Sequence, residues 1–279
     1  MAALLITLAY AVLEFAGGIW SGSLALVSDA GHMLSDALAL GLAAAAARLA
    51  RRPAGVRHSY GWARAEVIGA MLNCLIMLGI VVMLAVESFQ RLLVPQPVAA
   101  GGVMLIAFCG LVVNAVVAFM LGGSHGVNAR AALLHVMGDL LSSVAALVAG
   151  LVIFMTGWYT VDPLLSLVIA GLILISTLRL LRDTVHVLME GVPPAIDLNI
   201  IGRALAALDG VHSVHDLHVW SIAPEQVALS AHLEIADLGE WPRILREART
   251  LMHDRFGIGH VTLQPEPSAD GGAPAVVRI

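Results

Sequence analysis

Long apolar runs broken by short polar punctuation set the pattern of most of this chain. A helix needs about 20 apolar residues to cross a bilayer, and six runs qualify: roughly 2–20, 24–48, 65–93, 100–122, 129–156 and 161–182. The breaks are chemically clear. Ser21-Gly22-Ser23 separates the first two runs, Pro95-Gln96-Pro97 precedes the fourth, and Gly157-Trp158-Tyr159 with Asp162-Pro163 separates the last two. After Met189-Glu190-Gly191-Val192-Pro193-Pro194 the pattern changes to that of a water-soluble fold. Residues 196–208 show helical periodicity, and 214–222 and 227–235 read as strands. In the second strand Val227, Leu229, Ala231, Leu233 and Ile235 share one face. Ile244, Leu245, Ala248, Leu251 and Met252 stripe a second helix, and 260–264 is a last strand with Val261 and Leu263 inward. The expected fold is an α-helical membrane protein: six transmembrane helices, then a small αββαβ domain of the α+β class with its helices on one sheet face. The domains run 1–190, 191–267 and 268–279, the last expected to be a disordered tail.

Composition agrees with a bilayer as solvent. The chain of 279 residues is 59% hydrophobic and 13% charged, against about a quarter charged in soluble proteins. A net charge of −5 argues against a nucleic-acid partner. Every basic residue is Arg, which removes lysine as a catalytic base. Cys74 and Cys109 lie in apolar runs and read as packed thiols. The N-terminus carries no basic region and no cleavage pattern, so it reads as a first span and not a signal peptide. The chain starts almost inside that span, which leaves room for a longer natural N-terminus. Arginines set the orientation. Arg48 ends span two and Arg51, Arg52, Arg57 and Arg64 follow it, Arg130 stands at the start of span five, and Arg179 and Arg182 end span six, whereas Arg91 stands alone on the other side. The positive-inside rule puts the basic side and both termini in the cytoplasm, with the arginines toward anionic headgroups.

Against this apolar background the ionisable residues stand out. His32 and Asp36 in span two, and His135 and Asp139 in span five, each place an imidazole and a carboxylate one helical turn apart on one face. A charge at the bilayer centre costs at least about 2.5–3.5 kcal/mol, so two such pairs need a compensating role. Two imidazole nitrogens and two carboxylate oxygens suit tetrahedral Zn²⁺, with Co²⁺ or Cd²⁺ as competitors. Two separate His–Asp contacts gluing the bundle are the plainer alternative. Asp29 lies on the same stripe as His32 and Asp36. It reads either as an access ligand or proton relay, or as an ordinary helix-start cap. Glu14 in span one has no evident local partner and is the better guess for a proton path. Glu87 and Arg91 are spaced to pair, and Asn73 and Asn114 suit interhelical hydrogen bonds. In the tail, Ser230, His232 and Glu234 share the polar face of one strand. His260, Thr262, Gln264 and Glu266 keep one parity, and His215 starts the neighbouring strand. A second metal site or a merely polar surface fits that set.

Several stretches carry a family resemblance. Ser23 to Asp36, Tyr60-Gly61-Trp62-Ala63-Arg64-Ala65-Glu66, and Asn128 to Asp139 resemble the cation diffusion facilitators, and the αββαβ tail resembles that family's metallochaperone-like cytoplasmic domain. The resemblance implies a homodimeric exporter of divalent cations driven by proton antiport, lodged in the inner membrane of a bacterium. It implies His32, Asp36, His135 and Asp139 as the ligands of transported Zn²⁺. It also matches His215 and His232 to zinc-binding histidines of the tail and Glu266 to an acidic position, a regulatory site, while Gln264 stands where some members have histidine. An exporter preferring Co²⁺ or Cd²⁺, an intramembrane metalloenzyme and a passive channel or receptor are the competing readings. A four-ligand site without a His-Glu-x-x-His motif opposes the enzyme, so the chain is read as a non-enzyme.

Overall fold

The computed structural model describes residues 2–122, 127–223, 226–268 and 276–277, with backbone alone for 2–5, 121–122, 127–132, 134–135 and 276–277. Six long helices come first: α1 (Ala2–Ser21), α2 (Leu24–Ala50), α3 (Ala65–Leu93), α4 (Ala100–Gly122), α5 (Val127–Thr156) and α6 (Val161–Leu188). Among the described residues five of them, α2 to α6, are long and apolar enough to cross a membrane, and α1 contributes a shorter apolar stretch over Ile6–Ser21. The sequence ends span six near residue 182, whereas α6 continues to Leu188.

The chain forms two compact units, Met1–Ala44 with Leu72–Leu181, and Ala45–Met71 with Arg182–Ile279. In the first, α1, α4 and α5 approach closely because small residues line their contacts. A Cβ added to Gly110 would overlap the Tyr10 ring, one at Gly17 would overlap Ile106, and one at Gly150 would overlap Met104. Helix α2 is held differently, by polar groups from α6. Ser23 is its N-cap, with the Leu26 N–H donating to Ser23 Oγ at 3.3 Å. Asp162, in the first turn of α6, accepts from the Ser23 hydroxyl, from Leu24 N at 2.6 Å and from Ala25 N at 3.4 Å. One turn on, Ser28 Oγ lies 2.5 Å from Ser166 Oγ. The Leu24–Asp162 and Ser28–Ser166 contacts have the same sequence separation, 138 residues, so α2 and α6 run parallel. Helix α5 reverses through the short turn at 157–160 into α6, and therefore runs antiparallel to α2.

In the second unit, α7 (Leu198–Ala206), β1 (Val211–Ala223), β2 (Gln226–Ile235), α8 (Trp241–Phe256) and β3 (His260–Pro267) follow in the expected αββαβ order. Asp197 caps α7 by accepting from Asn199 N at 2.8 Å. Gly257, at φ 67°, ends α8 in a left-handed turn and sends Ile258 into the core. With β4 (Val276–Val277) the sheet order is β3-β2-β1-β4, with β1 and β2 antiparallel and β2 and β3 parallel. The alternation read in β2 is present: Leu229, Ala231, Leu233 and Ile235 are buried with Ile201, Leu205, Ile244, Ala248 and Met252. Each fully buried leucine or isoleucine is worth about 1.5–3 kcal/mol, so this cluster gives a small domain an adequate core. Strand β4 is Val276–Val277, parallel to β1 at Ser213 and Val214, within the stretch expected to be a disordered tail; residues 269–275, 278 and 279 lie outside the described residues. In the same unit, the connection between α2 and α3 packs Ala63 against Ile222, Ala223 and Ala228. Arg64, in the arginine-rich connection between α2 and α3, pairs with Glu190 at 2.9 Å.

Candidate metal centres

The first candidate lies on α2 and α5. His32 Nε2 stands 3.7 Å from Asp36 Oδ2, as one helical turn dictates, with 26% and 35% of the two side chains exposed. Asp139 on α5 is buried, at 5% exposure. His135 lies one turn before it on the same helix, and its side chain is outside the described residues. The relative depth of the two pairs follows from Ser142. Its Oγ lies 2.8 Å from Asp29 Oδ2 on α2 and 2.9 Å from the Asp139 carbonyl oxygen. One hydroxyl proton cannot serve both acceptors fully, and the carboxylate is the stronger. Asp29 and Ser142 are therefore level. Because the helices are antiparallel, stepping three residues forward on α2 and three back on α5 brings His32 level with Asp139. Four more along each brings Asp36 level with the backbone of residue 135. The register thus puts the two four-residue stretches at one depth along α2 and α5.

Asp29 does not cap α2, because the helix already begins at Leu24 and its cap is Ser23 assisted by Asp162. Glu14 on α1 is fully buried, and among the described residues no hydrogen bond of ordinary length reaches its oxygens. Tyr10, Asp29 and Asp139 are its electrostatic neighbours. Tyr10 itself donates to the Ile106 carbonyl at 3.1 Å. Asn114 donates to Ser143 Oγ at 3.3 Å, an α4–α5 bond, and Glu87 accepts from Arg91 Nε at 2.9 Å. Asn73 shows no such bond among the described residues. Sequence reasoning missed Asp162 and Ser142. The first left a signal, an acid at the apolar start of a helix, which must find donors. The second is an ordinary serine and left none.

The second candidate lies on the outer face of the sheet. His215 and His232 are cross-strand partners, with ring centroids 5.3 Å apart. Glu266 of β3 reaches both: Oε1 is 2.8 Å from His232 Nδ1 and Oε2 is 3.2 Å from His215 Nε2. One ligand atom from each of the three residues can be chosen so that all lie within 4.8 Å. Donors around a tetrahedral Zn²⁺ at about 2.0–2.1 Å stand about 3.3 Å from one another, so small side-chain rotations would admit the ion. Local backbone chemistry puts His215 there. Asp216 has φ 48° and forms a bulge, so that Val214 and Leu217 both point into the core while His215 and His218 both stay outside. Gln264 is the β3 residue directly paired with His232.

Comparison with known proteins agrees with this architecture. Residues 1–189 match the family described as the cation efflux transmembrane domain, and residues 193–268 match the cation efflux protein cytoplasmic domain. Zinc transporter ZitB of Escherichia coli strain K12 is 38% identical over 267 residues, which is 94% of this chain and 84% of that protein. The cadmium, cobalt and zinc/H(+)-K(+) antiporter of Bacillus subtilis strain 168 is 38% identical over 275 residues, 96% of this chain and 88% of that protein. Zinc transporter ttm-1 of Caenorhabditis elegans is 40% identical over 275 residues, 91% of this chain and 67% of that protein. With both parts of the cation efflux architecture matched in order along one chain, this protein belongs to the cation efflux family, the cation diffusion facilitators.

Proposed function

We propose that this protein is a proton-coupled antiporter that exports Zn²⁺ from the cytoplasm, with Co²⁺ or Cd²⁺ as secondary substrates. His32, Asp36, His135 and Asp139 hold the ion inside the membrane, and alternating access around them carries it across. The observation that carries this reading is the Ser142–Asp29 contact between antiparallel helices, which supports a common depth for His32 and Asp139. Two carboxylates neutralise the ion and two imidazoles complete a tetrahedron. Protons compete with the metal for imidazole and carboxylate. Loading on the metal-rich side therefore releases protons, and the acidic side favours metal release. Ligands on rigid helices suit this, because rocking one helix against another changes access without dismantling the site. Glu14 and Asp29, buried beside Asp139, are the acids through which a proton reaches the site. The arginine asymmetry supports an orientation with both termini cytoplasmic, in the inner membrane of a bacterial host. Residues 1–190 form the transport domain and 191–267 a cytoplasmic domain through which two copies pair. The names of the relatives, zinc transporters and an H(+)-linked antiporter, support the same substrate and coupling.

The test is metal uptake into everted membrane vesicles carrying the protein, with Zn²⁺, Cd²⁺ and Co²⁺ compared, with and without an acid-inside gradient. Uptake that rises with the gradient and is largest for Zn²⁺ is expected. Uptake indifferent to the gradient would assign a passive channel instead.

His215, His232 and Glu266 we read as a regulatory site of the cytoplasmic domain. His232→Ala in the full-length chain is expected to remove one bound zinc per protomer in equilibrium dialysis. It should spare the intramembrane site, since the substitution lies on the outer face of β2 and leaves the core intact. An unchanged zinc count would assign the cluster to surface hydrogen bonding alone.

A further inference from the structure

On the α2 N-terminal side of the four-residue site the helices are tied by hydroxyls. Ser166 Oγ of α6 meets Ser28 Oγ of α2 at 2.5 Å and accepts from Ser88 Oγ of α3 at 3.1 Å. All three serines are fully buried. One turn outward, Asp162 gathers Ser23, Leu24 and Ala25, and Arg91 of α3 donates to the Gly22 carbonyl at 2.5 Å. Between these ties Leu26 is sealed into an apolar cluster with Val103, Ile106 and Ala146 of α4 and α5. The stretch of α2 from Leu24 to Ala30 is buried apart from Val27. Leu26, Ser28 and Asp29 are buried, while His32 and Asp36 are part-exposed. Toward the α2 N-terminus the site is thus closed by packed and hydrogen-bonded side chains.

A carrier needs its shut side to be tight but reversible. Apolar packing supplies tightness. Hydroxyl pairs supply reversibility, because each net bond is weak and water replaces the lost partner when the seam opens. Three serines from three helices that, among the described residues, hydrogen-bond through their hydroxyls to one another fit that task better than a permanent structural tie does.

We propose that the Ser28–Ser166–Ser88 contact is the closure of the transport site on the α2 N-terminal side, and that it opens once in each transport cycle. This rests on the carrier reading given above. The test is Ser28→Cys with Ser166→Cys, in a chain whose native Cys74 and Cys109 are alanine, reconstituted in liposomes. Oxygens 2.5 Å apart put the replacing sulfurs near the roughly 2.05 Å of a disulfide. The reduced protein should transport zinc within about twofold of the parent, and diamide should cut turnover more than about twentyfold with equilibrium zinc binding kept within about threefold, both restored by dithiothreitol. Full turnover in the oxidised protein would show α2 and α6 travelling together, and would overturn the closure. Loss of binding together with turnover would overturn it as well, since the link would then act on the site and not on access. Ser88→Cys with Ser166→Cys gives the same test should the first pair not fold. No zinc transport by the cysteine-free parent would instead remove the carrier reading on which the closure rests.

Discussion

Asp139→Ala is expected to abolish zinc-driven proton release from acid-loaded everted vesicles. Removing a group that only orients a metal ligand costs about 10–100-fold, so removing a ligand should exceed about 100-fold. The loss is not a matter of one bond alone. Asp36 would remain as the only carboxylate of the set, leaving an extra uncompensated positive charge whenever Zn²⁺ sits in an apolar bundle. The fold should survive, because Ser143 Oγ donates to the carbonyl of Asp139 at 3.0 Å, and alanine keeps that carbonyl. Asp139→Asn tests the charge separately, since it retains the shape and one neutral oxygen donor. It is expected to recover little activity. Wild-type-like flux in the alanine variant, with protein levels confirmed, would sink the assignment of the α5 half of the site.

The sequence pattern carried what depends on spacing within one element. The four-residue separations put His32 over Asp36 and His135 before Asp139, and the alternation of Val227 to Ile235 named the buried face of β2. It did not carry what depends on register between elements. Spacing within each helix leaves open whether the two pairs share a depth, because that is set by packing between α2 and α5. The contact that bears on that depth comes from Ser142, a residue with no distinguishing pattern. Similarly, Asp29 looked like a cap because acids often begin helices. The carboxylate that does cap α2 is Asp162, 138 residues away along the chain. The Asp216 bulge is invisible for a related reason. It breaks the period-two alternation that would announce the strand, and His215 then looks like a strand start when β1 begins at Val211. Local chemistry is legible in a single sequence, and tertiary register is legible only where a long-range pair has a distinctive composition.

That contrast makes Asp162 the more informative residue to remove. Asp162→Ala is expected to destabilise the membrane unit by about 2–4 kcal/mol, the summed effect of orphaning buried donors at about 1–3 kcal/mol each, reduced because unfolded helices in a bilayer find other partners. Three donors lose their acceptor: the Ser23 hydroxyl and the N–H groups of Leu24 and Ala25. Two of them belong to the first turn of α2, where no intrahelical carbonyl can take over. Asp162→Asn keeps one acceptor oxygen but turns an N–H₂ toward the other donors, so an intermediate loss is expected. Thermal unfolding in detergent measures the stability. Hydrogen exchange at residues 24–26 localises it, and faster exchange confined to that turn is the expected signature. The same change frees the axial position of α2, on which the depth of His32 and Asp36 depends. Maximal transport rate should therefore fall in the alanine variant at temperatures where the protein is still folded. An unfolding midpoint and an exchange pattern matching the parent would mean that Ser23 alone caps α2, and that α6 does not fix the axial position of α2.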